Sequence, residues 1–290
     1  GSGRNGGGSG SSSGEVLRRT VDSGQQWRRC TRNRWFYFYG DSTMRVLFNA
    51  VLQELFGEKI EQTNGLHYGD VCSEFFNASD SRQLCRCRIQ NSERDYVNVE
   101  RRVRVTYSWK EKMYSTDKDA RMFVEPHSTP RWVRASKVHR AIRRQQRDDI
   151  SLPQWTAPDV IVMNAGLHAL HMYSRDENVV FRGEGLSASH ILRYARETDA
   201  LTTALRNSRF LSGSRCAFWR TTNIVTSKTS RLTNTVFQHL TNYTVPHMLD
   251  AGLHILDLRH AQRTAPSKYA SEDGIHYERM AAEQLSRLVL

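Results

Sequence analysis

The stretch WFYFYGDSTMRV, residues 35–46, constrains the fold of this chain more than any other. Trp35 to Tyr39 form an aromatic run of strand length, too short for a helix and closed by Gly40, so it is expected to be a buried strand. Beyond it Met44, Leu47, Val51 and Leu55 recur at helical spacing, Asp41 and Ser42 offer N-cap oxygens, and Gly57 supplies a stop. The unit is strand, tight turn, helix.

The alternation continues along the chain. Val97, Val99, Val103, Val105, Tyr107 and Trp109 mark one or two strands, and the basic segment 131–147 follows as a helix with Val138, Ala141 and Ile142 on one side. Val160 to Met163 form a continuous apolar strand that breaks at Asn164-Ala165-Gly166. A helix is expected over 187–207, a strand over Cys216 to Trp219 and again at Ile224-Val225, a helix over 232–249 and a strand over Leu253 to Leu258. The last fourteen residues have the spacing of an amphipathic helix. Strands alternating with helices predict a three-layer α/β/α sandwich with a mainly parallel central sheet. The tetrapeptide AGLH occurs at 165–168 and 251–254, but the flanks differ and no repeat is inferred.

Residues 1–14 contain no core-forming side chain and are expected to be a flexible Gly/Ser-rich linker or tag. The remainder, 15–290, is expected to be a single domain. Within it, a polar, Cys-containing stretch at about 58–95 has no clear periodicity and is expected to be an insertion leaving the core.

A formal charge of +12 favours anionic neighbours, an acidic glycan among them. No zinc-finger spacing, RNP aromatic pattern or GXXG clamp accompanies the basic residues, so specific nucleic-acid recognition is not expected. Cys30, Cys72, Cys85, Cys87 and Cys216 are too scattered for a CxxC-type zinc site. Cys85 or Cys87 could pair with Cys72 or Cys30, which leaves the disulfide pattern open. These cysteines, with the sequons at Asn77 and Asn242, suit the secretory pathway, whether Golgi lumen or cell exterior. No long apolar run is present, so any membrane attachment is expected from a segment outside this chain.

In parallel α/β sheets functional groups collect beyond the carboxyl ends of the strands. That rule selects Gly40-Asp41-Ser42, the segment Asn164 to His168, and the stretch after Leu258. Ser42, at a strand-to-helix turn, could either cap the helix or act as a nucleophile whose own N–H and helix dipole stabilise an oxyanion. A serine nucleophile needs a base, and near neutral pH that base is a histidine. Among eleven histidines His276 stands out, in Asp273-Gly-Ile-His276 just before the closing helix. Asp257-Leu-Arg-His260 has the same spacing, but Asp257 sits on the expected strand Leu253 to Leu258 and is expected to cap or pair with a nearby Arg. Arg45, one turn into the first helix, either makes a salt bridge or faces substrate.

Taken in order, Gly40-Asp41-Ser42-Thr43 followed by Arg45, a strand ending in Asn164-x-Gly166-x-His168, and Asp273-x-x-His276 before a helix resemble the SGNH (GDSL-type) hydrolase superfamily. Within it the chain most resembles the PC-esterase group of trichome-birefringence-like polysaccharide and sialate O-acetyltransferases. The resemblance implies Ser42 as nucleophile, His276 as base and Asp273 as the residue orienting it. It further implies an oxyanion hole from the Ser42 N–H, a glycine N–H and a polar side chain after the central strand. In this sequence His168 occupies the position of the family's amide and Asn164 lies two residues before Gly166, so either could donate. Gly65 and Gly69 are the candidates for the glycine. The implied activity is acetyl transfer to a glycan hydroxyl, or ester hydrolysis by the same triad, without a bound cofactor; the alternative is a non-catalytic glycan-binding protein with this fold, and a monomer is expected. The acetyl donor, such as acetyl-CoA or an acetyl ester, would be a co-substrate.

Overall fold

The computed structural model describes residues 31–56, 83–88, 93–98, 102–110, 112–114, 123, 153, 155, 157–167, 187–208, 216–224 and 234–264. Strand β1 (Trp35–Gly40) runs into helix α1 (Ser42–Phe56), followed by β2 (Gln83–Arg88), β3 (Glu93–Asn98), β4 (Val103–Trp109) and β5 (Val160–Met163). Next come α2 (Ala188–Arg206), β6 (Cys216–Arg220), α3 (Asn234–Asp250), β7 (His254–Leu256) and α4 (Leu258–Thr264). The seven strands form one sheet in the order β2-β3-β4-β1-β5-β6-β7. From β4 to β7 neighbouring strands are parallel, and β2 and β3 extend one edge as antiparallel strands.

Alternation along β1 divides the core between the two faces of the sheet. Phe36 and Phe38 pack with Met44, Leu47, Phe48 and Val51 of α1. Trp35, Tyr37 and Tyr39 point the other way, into a cluster with Tyr194 and Leu201 of α2 and Val236, Phe237 and Met248 of α3. Helices on both sides of a sheet that is parallel over five strands make the molecule an α/β/α sandwich. An aromatic run is needed here because a central strand buries every residue, and all six of β1 are buried. Phe38 is fully enclosed and lies edge-on to Phe48, so its truncation to Ala is expected to cost ~3–5 kcal/mol.

This layering places a topological switch point between β1 and β5. The two strands are adjacent and parallel, yet the helix after β1 lies on one face and α2, which follows β5, lies on the other. Their carboxyl ends therefore diverge and leave a crevice, the usual location of a site in open parallel sheets. Gly40-Asp41-Ser42 and Asn164 line its two sides.

The stretch expected to leave the core at 58–95 differs in its second half: β2 and the first half of β3 fall inside it and belong to the sheet. The reason is visible in β3, where Arg94 and Asp95 are as buried as Tyr96 and Val97. Asp95 receives two hydrogen bonds from Arg104 on β4, at 3.0 and 2.7 Å, and one from Thr106 at 2.8 Å. The Arg104 guanidinium also stacks over the Trp35 ring, 4.3 Å from its centroid. A strand that buries charge in this way has no hydrophobic periodicity to read.

At the other edge, β7 is shorter than expected because Asp257 ends it by capping α4, its carboxylate accepting from the His260 N–H at 3.2 Å. Ile224 lies beyond the end of β6 in irregular backbone, outside any strand. The expected helices over 187–207 and 232–249 correspond to α2 and α3. The basic segment 131–147 and the closing helix lie outside the described residues.

Candidate active site

The site is built around a turn of three residues. Asp41 caps α1: its side-chain Oδ1 accepts from the Thr43 N–H at 2.9 Å, and its carbonyl accepts from the N–H groups of Met44 and Arg45, both at 3.1 Å. The choice between capping and nucleophilic roles for Ser42 therefore changes, since its neighbour fills the cap. Of the first four N–H groups of α1, three go to Asp41. The fourth belongs to Ser42 and has no acceptor among the described residues. At 9% relative exposure Ser42 retains access that Asp41 and Thr43, each at 1%, do not have. A serine at the first position of a helix, with a free N–H beside its hydroxyl and the positive end of the helix dipole behind it, suits a nucleophile that generates an oxyanion.

Asn164 fixes this turn from the opposite side of the crevice. It is fully buried, its Oδ1 accepts from the Asp41 N–H at 3.3 Å, and its Nδ2 donates to Asp41 Oδ1 at 3.3 Å and Thr43 Oγ1 at 3.1 Å. The approach is so close that a Cβ built on Gly40 would lie 1.9 Å from Asn164 Oδ1. Gly40 thus serves by having no side chain, and its φ is not in the left-handed region. Gly166 does the same one turn on, where a Cβ would meet Thr222 Oγ1 at 2.4 Å. From β4 the Tyr107 hydroxyl lies 3.2 Å from the carbonyl oxygen of Gly40 and 3.1 Å from that of Asp41, close enough to donate to both.

Sequence reasoning missed Arg220. It ends β6, is almost wholly buried, and donates from Nη1 to Thr43 Oγ1 at 2.8 Å and from Nη2 to Asn223 Oδ1 at 3.0 Å. Burial pushes its guanidinium down to about 10, and the nearby Asp41 carboxylate opposes that shift, so the group is charged at neutral pH. Thr43 Oγ1 is the hub: it donates to Asp41 Oδ1 at 2.6 Å and accepts from Asn164 and Arg220. The only signal in the sequence was an Arg at the end of an expected strand, which is usually a surface residue.

Of the expected site residues, Ser42, Asn164 and Arg45 fall within the description, and Asn164 bonds the residues on either side of Ser42. Both donated bonds of the Asn164 amide go to Asp41 and Thr43, so in this state it holds the turn. Arg45 is a half-buried residue of α1. Asp273, His276, His168 and Gly69 lie outside the described residues. The alternative pair is separated in role: Asp257 caps α4 and accepts from Thr221 Oγ1 at 3.2 Å, while His260 is exposed. Cys216 is a free thiol at the start of β6. Among the described residues, no group of three His, Cys, Asp or Glu side chains is placed to hold a metal.

No protein-family model and no curated protein matches the chain. Solved structures similar to it include a protein from Slackia heliotrinireducens named as a candidate SGNH hydrolase, 12% identical with a TM-score of 0.40 over 88% of this chain and 96% of that one. An acetyl-xylooligosaccharide esterase from Geobacillus stearothermophilus is 11% identical, with a TM-score of 0.35 over 88% and 91%. A peptidoglycan O-acetylesterase is 9% identical, with a TM-score of 0.37 over 96% and 97%. Likeness of this degree does not decide a family; the site residues have to carry the functional reading.

Proposed function

We propose that the chain is a serine-dependent acyltransferase of the SGNH type that moves an acetyl group to a hydroxyl of a glycan or polysaccharide. The observation that carries this reading is the division of labour in Asp41-Ser42: Asp41 takes the cap, and Ser42 keeps both a hydroxyl and an N–H without an acceptor among the described residues, at the crevice between β1 and β5.

In this reading Ser42 Oγ attacks the acetyl carbonyl carbon of the donor and gives its proton to His276, which Asp273 orients. The carbonyl oxygen becomes an oxyanion held by the Ser42 N–H, with Gly69 and His168 as further donors. Asn164 joins them only by releasing Asp41 or Thr43. Collapse expels the donor's leaving group, which takes the proton from His276. A sugar hydroxyl then attacks the acetyl-serine, its proton passing to His276 and on to Ser42. Water in place of the sugar gives hydrolysis through the same steps. The donor, acetyl-CoA or an acetyl ester, is a co-substrate, and no bound cofactor is required.

The net charge of +12 supports an acidic acceptor. The sequons and cysteines support the Golgi lumen or cell exterior, and a monomer is proposed. Among the described residues no helix is long and apolar enough to cross a membrane.

The test is incubation with an acetyl-ester donor and a panel of glycans, read by mass spectrometry for acetylated sugar and free acetate. Ser42→Ala is expected to abolish both products, a loss of about 10⁴-fold or more, without unfolding the chain. Wild-type turnover by that variant would exclude Ser42 as nucleophile; acetate alone, with every sugar unmodified, would replace transfer by hydrolysis.

A further inference from the structure

Beyond the crevice at Ser42, a groove of about 330 Å³ lies between α3 and α4. Two guanidinium groups in it converge on one neutral oxygen: Gln238 Oε1 accepts from Arg259 Nε at 3.3 Å and from Arg263 Nη2 at 2.5 Å. Arg259 Nη2 donates to the Asn234 carbonyl at 3.2 Å, and Nη1 of Arg259, a residue only 3% exposed, has no partner among the described residues. Burial and the like charge of Arg263 both push the Arg259 guanidinium below its usual range. Among the described residues that line the groove the one carboxylate, Asp257, has Oδ1 committed to the α4 cap and to Thr221, and leaves the two cations with an excess of one positive charge. Positive charge held by neutral acceptors, with a buried donor left over, is a half-made ion pair.

The wall opposite is made for hydroxyl groups. Thr241 and Asn242 line it, and Pro246, inside α3, has no N–H to give the Asn242 carbonyl four residues back.

The geometry points to this groove as a binding site for an oxyanion carried on a polyhydroxylated ligand, a carboxylate or a sulfate or phosphate ester, with Arg259 and Arg263 gripping the anion. The inference stands independently of the chemistry at Ser42. The groove begins beside the carboxyl end of β7, three strands from β1, or about 14 Å along the sheet edge from the strand that delivers Ser42.

Calorimetric titration of the full chain with glucuronate, glucose 6-sulfate, glucose 6-phosphate and, as the neutral control, glucose tests it. At least one of the three anions is expected to bind saturably at one site, and which one identifies the oxyanion. Arg263→Gln, an exposed change, should weaken that binding about tenfold. Arg259→Gln should do the same if it folds. Arg196→Gln, an exposed charge on α2 away from the groove, should leave it unchanged. Three results would overturn the site: no saturable anion binding, equal affinity in Arg263→Gln, or an equal loss in Arg196→Gln.

Discussion

The sheet buries two carboxylate and guanidinium combinations, and they are wired differently. On the antiparallel flank Asp95 and Arg104 meet directly through two hydrogen bonds on neighbouring strands, both side chains fully enclosed. At the carboxyl edge Asp41 and Arg220 are linked only through the Thr43 hydroxyl, and Asp41 Oδ2 has no partner among the described residues. The first joins two strands within the sheet, where Arg104 Nη1 is likewise without a hydrogen-bond partner among the described residues and the guanidinium is covered by the Trp35 ring. The second ends in unused capacity next to Ser42, as expected where geometry has been set for chemistry at some expense in stability.

The contrast can be broken most forcefully at the flank. Arg104→Ala leaves the Asp95 carboxylate buried without its cation and is expected to lose ~3–5 kcal/mol in urea unfolding. Replacing both partners by Leu and Met should recover most of that loss, because a buried pair contributes little over a well-packed apolar one. Neither change should alter turnover by the folded fraction. If the double variant is as unstable as the single one, the pair has a role beyond mutual compensation.

At the edge the balance reverses. Arg220→Met removes one donor each from Asn223 Oδ1 and Thr43 Oγ1, at a cost of ~1–3 kcal/mol. It should lower kcat by about a hundredfold through misplacement of Ser42, with KM little changed. Arg220→Lys should restore part of kcat. Equal kcat in all three proteins would make Arg220 merely structural.

The smallest effect separates cap from charge. Asp41→Ala should cost ~1 kcal/mol, and Asp41→Asn, which keeps a capping oxygen, much less, measured by thermal unfolding. Equal destabilisation by both would assign Asp41's contribution to its pairing with Arg220.

The sheet was legible where strands are apolar. Trp35 to Tyr39 and Val160 to Met163 announce central strands because nothing else accommodates such runs. The carboxyl-edge rule then located Ser42 and Asn164 without any knowledge of their contacts. The first half of β3 stayed hidden because its buried charges are compensated by Arg104, a residue of the next strand whose role no local pattern reveals. Arg220 was missed for the same reason: its partner Thr43 is 177 residues away in sequence. Polar residues announce themselves by spacing only when their partners are near in the chain. The sequence also left the functions of Asp41 and Ser42 undivided, since either can cap and only the observed bonds distinguish them.

The vacant position at Gly40 has a consequence for how this chain can vary over time. Because Asn164 Oδ1 occupies the space a methyl group would need, the two positions are bound as a pair. A lineage could gain a side chain at 40 only after, or together with, losing the amide at 164. Descendants of this sequence that carry a side chain at 40 are therefore expected to lack the amide at 164 and to have shifted Met44, whose Cβ would lie 2.7 Å away, whereas loss of Asn164 with Gly40 retained meets no steric bar.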